Sequence, residues 1–254
     1  KGKRGGVIPI HNAGNVAHWS MWECGSGGTC MTMVSSVYNG LVQYNGETQD
    51  PNDIRGDLAT SWKLSSDGLS YVFNLHKNAR WHDGKPVTAD DVVWSLNAMV
   101  DKDPPKPRAG QIAPYYESSR AIDASTVEVK MKFPAAAFLP YMATEFMKIL
   151  PKHRMEPGLA KDKTFMKKQE NVLGSGPFKI VEHKKDVSIE YVRNDDYFKE
   201  GLHYFDGMKF FIINDNSTAI AAYKLGQVLM TSFANSNMNA REAQQLNKDM
   251  EGKG

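Results

Sequence analysis

Four side chains near the start of the chain carry groups that could act together: His11, His18, Cys24 and Cys30. Imidazole and thiolate both suit zinc, so a metal-binding protein using this cluster is one reading. The spacing matches no usual zinc pattern, and a bond between the two cysteines would remove both thiolates. Such a bond needs Cα atoms within about 7 Å, whereas an ideal helix would hold these two about 9 Å apart. The intervening Gly25-Ser26-Gly27-Gly28-Thr29 lets the chain fold back, because glycine reaches conformations closed to other residues. A disulfide in so small a loop would stabilise the fold by roughly 2 kcal/mol and would indicate an oxidising compartment. Two free thiols is the alternative.

Other catalytic groupings are missing. The sequence has no Gly-x-Ser-x-Gly elbow, no Gly-x-x-x-x-Gly-Lys phosphate cradle and no His-Glu-x-x-His pair. Asp90-Asp91 and Asp195-Asp196 are sequence neighbours, and neighbours on a helix or strand point apart. The residues therefore offer no evident catalytic set and name no cofactor, and this absence alone does not decide between binding and catalysis.

Composition narrows the partners. The formal net charge is +2, with acidic and basic residues mixed along all 254 positions, so no basic stripe selects nucleic acid. The longest apolar stretch, Ala135 to Met147, is broken by Pro140 and Glu145 and is too short for a transmembrane helix. The basic start, Lys1-Gly2-Lys3-Arg4, reads as a processed end or linker. The first residue is not Met, which fits a mature protein or a fragment.

The elements that would position these groups follow from periodicity. Residues 6–11 read as a short buried strand. Met31 to Leu41 has helical spacing at Met33, Val34, Val37 and Leu41. Trp62 and Leu64, then Leu69, Tyr71, Phe73 and Leu75, alternate on either side of Ser65-Ser66-Asp67-Gly68, the pattern of a β-hairpin. Thr88 is placed to cap a helix whose first turn holds Asp90 and Asp91 and whose buried stripe is Val92, Val93, Leu96, Met99 and Val100. Val127 to Phe133 is a further strand, and Ala135 to Ile149 reads as a helix stopped by Pro151. Phe178 to His183, Val187 to Tyr191 and Met208 to Ile213 are strands, the last buried on both faces. Asp215 to Leu225 is a capped helix with Ile220, Tyr223 and Leu225 inward. Interleaved strands and helices give a mixed α/β class.

These motifs carry a resemblance. Asp57-Leu58-Ala59-Thr60-Ser61-Trp62, Ser66-Asp67-Gly68-Leu69-Ser70-Tyr71-Val72-Phe73-Asn74-Leu75 and Trp81-His82-Asp83-Gly84-Lys85-Pro86-Val87-Thr88-Ala89-Asp90-Asp91-Val92 together resemble the signature of the family 5 extracellular solute-binding proteins. That family holds the dipeptide-, oligopeptide- and nickel-binding receptors of ATP-driven (ABC) importers. Gly174-Ser175-Gly176-Pro177-Phe178, Arg193-Asn194-Asp195-Asp196-Tyr197-Phe198 and Thr218-Ala219 through Gly226-Gln227-Val228 resemble its downstream elements in the same order. The chain departs from the pattern at His11-Asn12-Ala13-Gly14, where the family has Asp-Pro, and at Leu229, where it commonly has Asp.

The resemblance implies a two-lobed, type II-like periplasmic binding protein that closes on its ligand at a hinge. One lobe would comprise residues 1–43 and 170–254, with 44–169 as an inserted α+β subdomain and the opposite lobe missing from this chain. The ligand-facing residues would be Trp19, Met21, Trp22 and Glu23 after the first strand, and Phe233 and Asn235 at the crossover to the other lobe. The resemblance further implies no enzymatic activity, a small solute (a peptide favoured), a membrane permease as partner, and a periplasmic or extracytoplasmic location, lipid-anchored before processing. A secreted surface module that kept the receptor fold is the remaining alternative to a receptor or a metal-binding protein.

Overall fold

The computed structural model describes residues 4–24, 29–48, 50–103, 106–232 and 239–251. In chain order, β1 (Val7–Asn12) is followed by α1 (Thr29–Val34), β2 (Val42–Tyr44), β3 (Ile54–Gly56), β4 (Ala59–Leu64), β5 (Ser70–Leu75), α2 (Ala89–Val100), β6 (Tyr116–Asp123) and β7 (Thr126–Met131). Then come α3 (Phe138–Met142), α4 (Lys152–Lys161), β8 (Phe178–Lys184), β9 (Ser188–Arg193), β10 (Gly207–Ile212), α5 (Asn216–Lys224), β11 (Met230–Thr231) and α6 (Ala240–Met250). The mixed α/β class read from the sequence is what forms.

Alternation builds the four-stranded sheet, ordered β4-β5-β7-β6. Tyr71, Phe73 and Leu75 of β5 and Val127, Val129 and Met131 of β7 share its buried face, and Phe73 pairs with Val127 in antiparallel register. The β4–β5 turn needs a left-handed residue, and Gly68 supplies it at φ 72°. The stripe Val92, Leu96 and Met99 buries α2, which packs against β6 and β7. The Asp91 carboxylate starts this helix, accepting from Thr88 N–H at 2.9 Å and from the Thr88 hydroxyl at 3.1 Å. Its other oxygen accepts from Lys152 N–H at 2.9 Å, so the same group ties α4 to α2.

The five-stranded sheet is ordered β11-β1-β10-β9-β8. β1 runs parallel to both neighbours, β10 and β11; β9 and β8 continue antiparallel. No residue of β10 is exposed, as expected for a central strand.

Three expected elements differ. The helix from Met31 ends at Val34 and gives way to a 3₁₀ turn over Ser35–Val37. There the Val37 carbonyl accepts from Gly176 N–H at 2.8 Å instead of continuing a helix. A Cβ at Gly174 would meet that carbonyl oxygen at 1.8 Å, so the Gly174 turn requires glycine. The helix expected over Ala135–Ile149 is only α3, because Pro140 lacks a donor and Ile149 N–H pairs with Asn39 O at 2.8 Å. Leu225 does not face inward: it is 72% exposed, and Ala219 and Ala222 form the buried stripe of α5 instead.

Buried polar bonds join the two sheet regions. Asp57, 1% exposed, accepts from Asn39 Nδ2 at 2.8 Å, Gly40 N–H at 2.8 Å and Lys199 Nζ at 2.5 Å. Ser175 donates to Asn39 Oδ1 at 3.0 Å. His82 donates from its backbone to Gly174 O at 2.8 Å, and its Nε2 lies 2.9 Å from Gly176 O.

Candidate functional site

Three parallel strands, β11, β1 and β10, end on one edge, and their chains leave it separately. β1 continues into residues 13–24, β10 into the Asp215 cap of α5, and β11 toward residues 233–238, which lie outside the described residues. In open α/β sheets this is where ligands bind, at carboxyl strand ends where the connections diverge.

The edge is polar despite its burial. His11, Asn12 and Ser232 are all buried. Asn12 Nδ2 donates to Gly14 O at 2.7 Å, and the Ser232 hydroxyl donates to Asn12 Oδ1. His11 Nε2 sits 2.9 Å from Ile213 O and its Nδ1 3.3 Å from the Thr231 hydroxyl. Those partners assign the proton to Nε2, which donates to the carbonyl, with Nδ1 accepting. Ser232 N–H donates to His11 O at 2.8 Å, and Ile213 N–H to Asn12 O at 3.0 Å. One network thus fixes all three strand ends relative to one another.

The loop leaving β1 is held in place. Gly14 takes φ 101°, a left-handed conformation that suits glycine. Asn15 Oδ1 accepts from Asp186 N–H at 2.9 Å, and its amide donates to the Asp186 carboxylate, pinning the loop to the β8–β9 turn. Asp215 caps α5 at the same edge, accepting from Thr218 N–H at 2.7 Å and from the Thr218 hydroxyl at 2.6 Å. Those hydrogen bonds hold its carboxyl below the ordinary carboxylate range.

The residues expected to face ligand on the β1 side lie just beyond this loop. Trp19, Met21 and Trp22 are buried. Trp19 meets His183 of β8 edge-on, with ring centroids 5.3 Å apart. Trp22 donates from Nε1 to Lys148 O at 3.1 Å and stacks on Trp94 of α2 at 5.7 Å. Glu23 pairs with Lys167 Nζ at 2.8 Å. The segment therefore spans from the five-stranded sheet to the helices over the four-stranded one. Phe233 and Asn235 lie outside the described residues.

Cys24 and Cys30 form a disulfide, with Cα atoms 6.0 Å apart. His18 joins them: the donor atoms of the three residues lie within 4.8 Å of one another. Burial lowers the His18 pKa, partly opposed by the Glu23 charge. The four-membered cluster considered from sequence is corrected to three, because His11 turns its nitrogens to Ile213 and Thr231 instead.

Sequence reasoning missed Asn12 and Ser232 as site residues. The available signal was position: Asn12 closes the strand that precedes Ala13-Gly14, and Ser232 follows the expected crossover.

Comparison with known proteins places this geometry. The profile described as Bacterial extracellular solute-binding proteins, family 5 Middle, matches residues 53–253. Heme-binding protein A of Haemophilus influenzae is 30% identical over 215 residues, covering 78% of this chain and 38% of that protein. The oligopeptide-binding protein AppA of Bacillus subtilis is 30% identical over 200 residues, covering 76% of this chain and 35% of that protein. The solved structure of Bacillus subtilis AppA in complex with a nonapeptide superposes with a TM-score of 0.82 at 25% identity, over 98% of this chain and 47% of that one. The DppA protein of Helicobacter pylori in complex with the peptide STSA gives 0.81 at 26% identity, over 97% of this chain and 49% of that one. The chain thus spans about half the length of these solved relatives and less of the curated ones.

Proposed function

The chain belongs to family 5 of the bacterial extracellular solute-binding proteins, a family of binding proteins and not enzymes, and from that premise we propose that it captures a peptide or other small solute outside the cytoplasmic membrane and delivers it to the permease of an ABC importer. The carrying observation is the buried polar network joining the carboxyl ends of β1, β10 and β11. It forms a rigid, hydrogen-bonding wall at a topological switch point. Peptide is favoured because the solved relatives AppA and DppA are described in complex with peptides.

In this reading residues 1–43 and 170–254 form one lobe, and 44–169 is an inserted subdomain. The sheet of β1 with β8–β11, separate from that of β4–β7, supports the division. Solute would meet the β1 edge beside the segment Trp19 to Glu23, whose Trp19, Met21 and Trp22 side chains are buried within this chain, with Phe233 and Asn235 near the crossover. Closure against an opposite lobe would complete the cleft and signal the permease. No helix among the described residues is long and apolar enough to cross a membrane.

Native mass spectrometry of freshly purified protein, before and after incubation with a mixed tetrapeptide pool, tests this reading. Peptide adducts are expected, weak for this chain alone because one wall of a cleft buries little of a ligand. A chain that stays bare while a full-length form carries a non-peptide solute would reject the peptide assignment. Tight binding by this exact chain in calorimetry would show that the cleft lies elsewhere.

A further inference from the structure

We infer that His18, Cys24 and Cys30 form a redox-gated metal site, closed as a disulfide and, when reduced, able to hold one divalent ion of the zinc class. This goes beyond the receptor reading and does not rest on it.

A tetrahedral zinc ion bound at about 2.3 Å by sulfur and about 2.0 Å by imidazole nitrogen holds its donors roughly 3.5 Å apart. The three donor atoms already lie within 4.8 Å of one another, so ligation needs shifts on the order of 1 Å for the imidazole and a comparable parting of the sulfurs. Gly25, Gly27 and Gly28 between the cysteines make the sequence permissive of that adjustment.

The chemistry of the donors agrees. Cys24 and Cys30 are buried and His18 is half-buried, which shields a bound ion from water. Ser20 N–H approaches His18 Nδ1 at 3.3 Å, a long contact that an ion can replace. Two thiolates balance a divalent charge. Water can fill the fourth position of such a three-donor site.

Opening the site requires a dithiol reductant. One of its thiolates attacks a sulfur of the Cys24–Cys30 bond, and its second thiolate resolves the mixed disulfide. The reductant leaves as its own disulfide, and both cysteines become thiols. Metal binding then releases two protons as the thiolates and the neutral imidazole coordinate.

The test uses the whole chain, reduced with dithiothreitol, freed of reductant without oxygen and titrated with Co²⁺. One Co²⁺ per chain is expected, with a sulfur-to-cobalt charge-transfer band that Zn²⁺ bleaches and that the oxidised protein never shows. His18→Ala should weaken Co²⁺ binding by at least about tenfold, while the oxidised variant melts as the parent does. Cys24→Ser should remove most of the band. A reduced protein without the band overturns the site. So does equal affinity with and without His18, including in a chain that circular dichroism shows to have unfolded on reduction, since loose cysteines would then be binding alone.

Discussion

The two larger sheets of this protein bury different chemistry. The buried face of the four-stranded sheet is apolar throughout, with Tyr71, Phe73, Leu75, Val127, Val129 and Met131. The five-stranded sheet buries His11, Asn12, Ser188 and Ser232 alongside Ile10, Ile189 and Phe210. A buried polar group costs free energy unless it is hydrogen-bonded; around the four-stranded sheet the buried Asp57 and Asp91 tie elements together, whereas at the five-stranded sheet such groups gather at the strand ends. The first sheet is antiparallel and closed by hairpins. The second has a parallel edge whose chains diverge, and its polar residues cluster there. The apolar core is concentrated in one region, and the proposed recognition site lies in the other.

The contrast can be broken from its apolar side first. Phe73→Ala should cost about 4 kcal/mol in urea denaturation, as for a buried aromatic truncated in a tight core. Wherever the variant still folds, it should leave peptide affinity unchanged. An affinity loss beyond the unfolded fraction would show that the four-stranded sheet contributes to recognition.

Asp57→Ala attacks the joint. It strands Lys199, whose side chain is 17% exposed, leaves the Gly40 N–H without its acceptor and leaves the Asn39 amide only the Tyr197 hydroxyl. About 3 kcal/mol should be lost, and the two sheet regions should unfold less cooperatively. A single sharp transition with unchanged slope would argue that the joint is not what couples them.

His82 makes the joint pH-sensitive. Burial pushes its imidazole down to about 4, below the ordinary value of about 6.5. The folded state therefore holds the ring neutral while the unfolded chain protonates it. Its contribution is complete above pH 6.5 and is lost as pH falls from there toward 4. Allowing for partial exposure, the loss is about 2 kcal/mol. His82→Gln should flatten the stability profile across that window, and an unchanged profile would assign the acid sensitivity to other groups.

The smallest effect on stability is expected at the polar edge. Asn12→Ala removes a donor to Gly14 and the acceptor of the Ser232 hydroxyl, a loss of about 1 kcal/mol. Yet it should weaken solute binding in a full-length form more than Phe73→Ala or His82→Gln do. Equal or lesser weakening would remove the strand ends from the site.

Much of the fold was legible from sequence because its signals are local. The alternation of Tyr71, Phe73 and Leu75 and the Thr88–Asp91 cap depend only on neighbours, and both elements formed within a residue or two of expectation. Long-range bonds decided the failures. The helix from Met31 stops because Val37 O is taken by Gly176, far along the chain, and no window of sequence shows that. β6, the outer strand of its sheet, reads Tyr-Glu-Ser-Ser-Arg-Ala-Ile-Asp and is too polar to announce itself. α4 hides behind Pro157 inside it, and no residue of α6 is buried. The site was legible only as a region. The ordered motifs pointed to the end of the first strand and to the crossover. That Asn12 and Ser232 meet depends on β11 docking beside β1, a pairing between residues 220 positions apart.

Hydrogen–deuterium exchange of this chain, with and without a saturating mixed tetrapeptide pool, tests the central claim most directly, because it reads weak binding and locates it. Added protection is predicted at His11 to Asn15 and at Thr231–Ser232, with none in β4–β7. Protection confined to β4–β7, or a saturating peptide that leaves the strand ends of β1 and β11 unchanged, would contradict it.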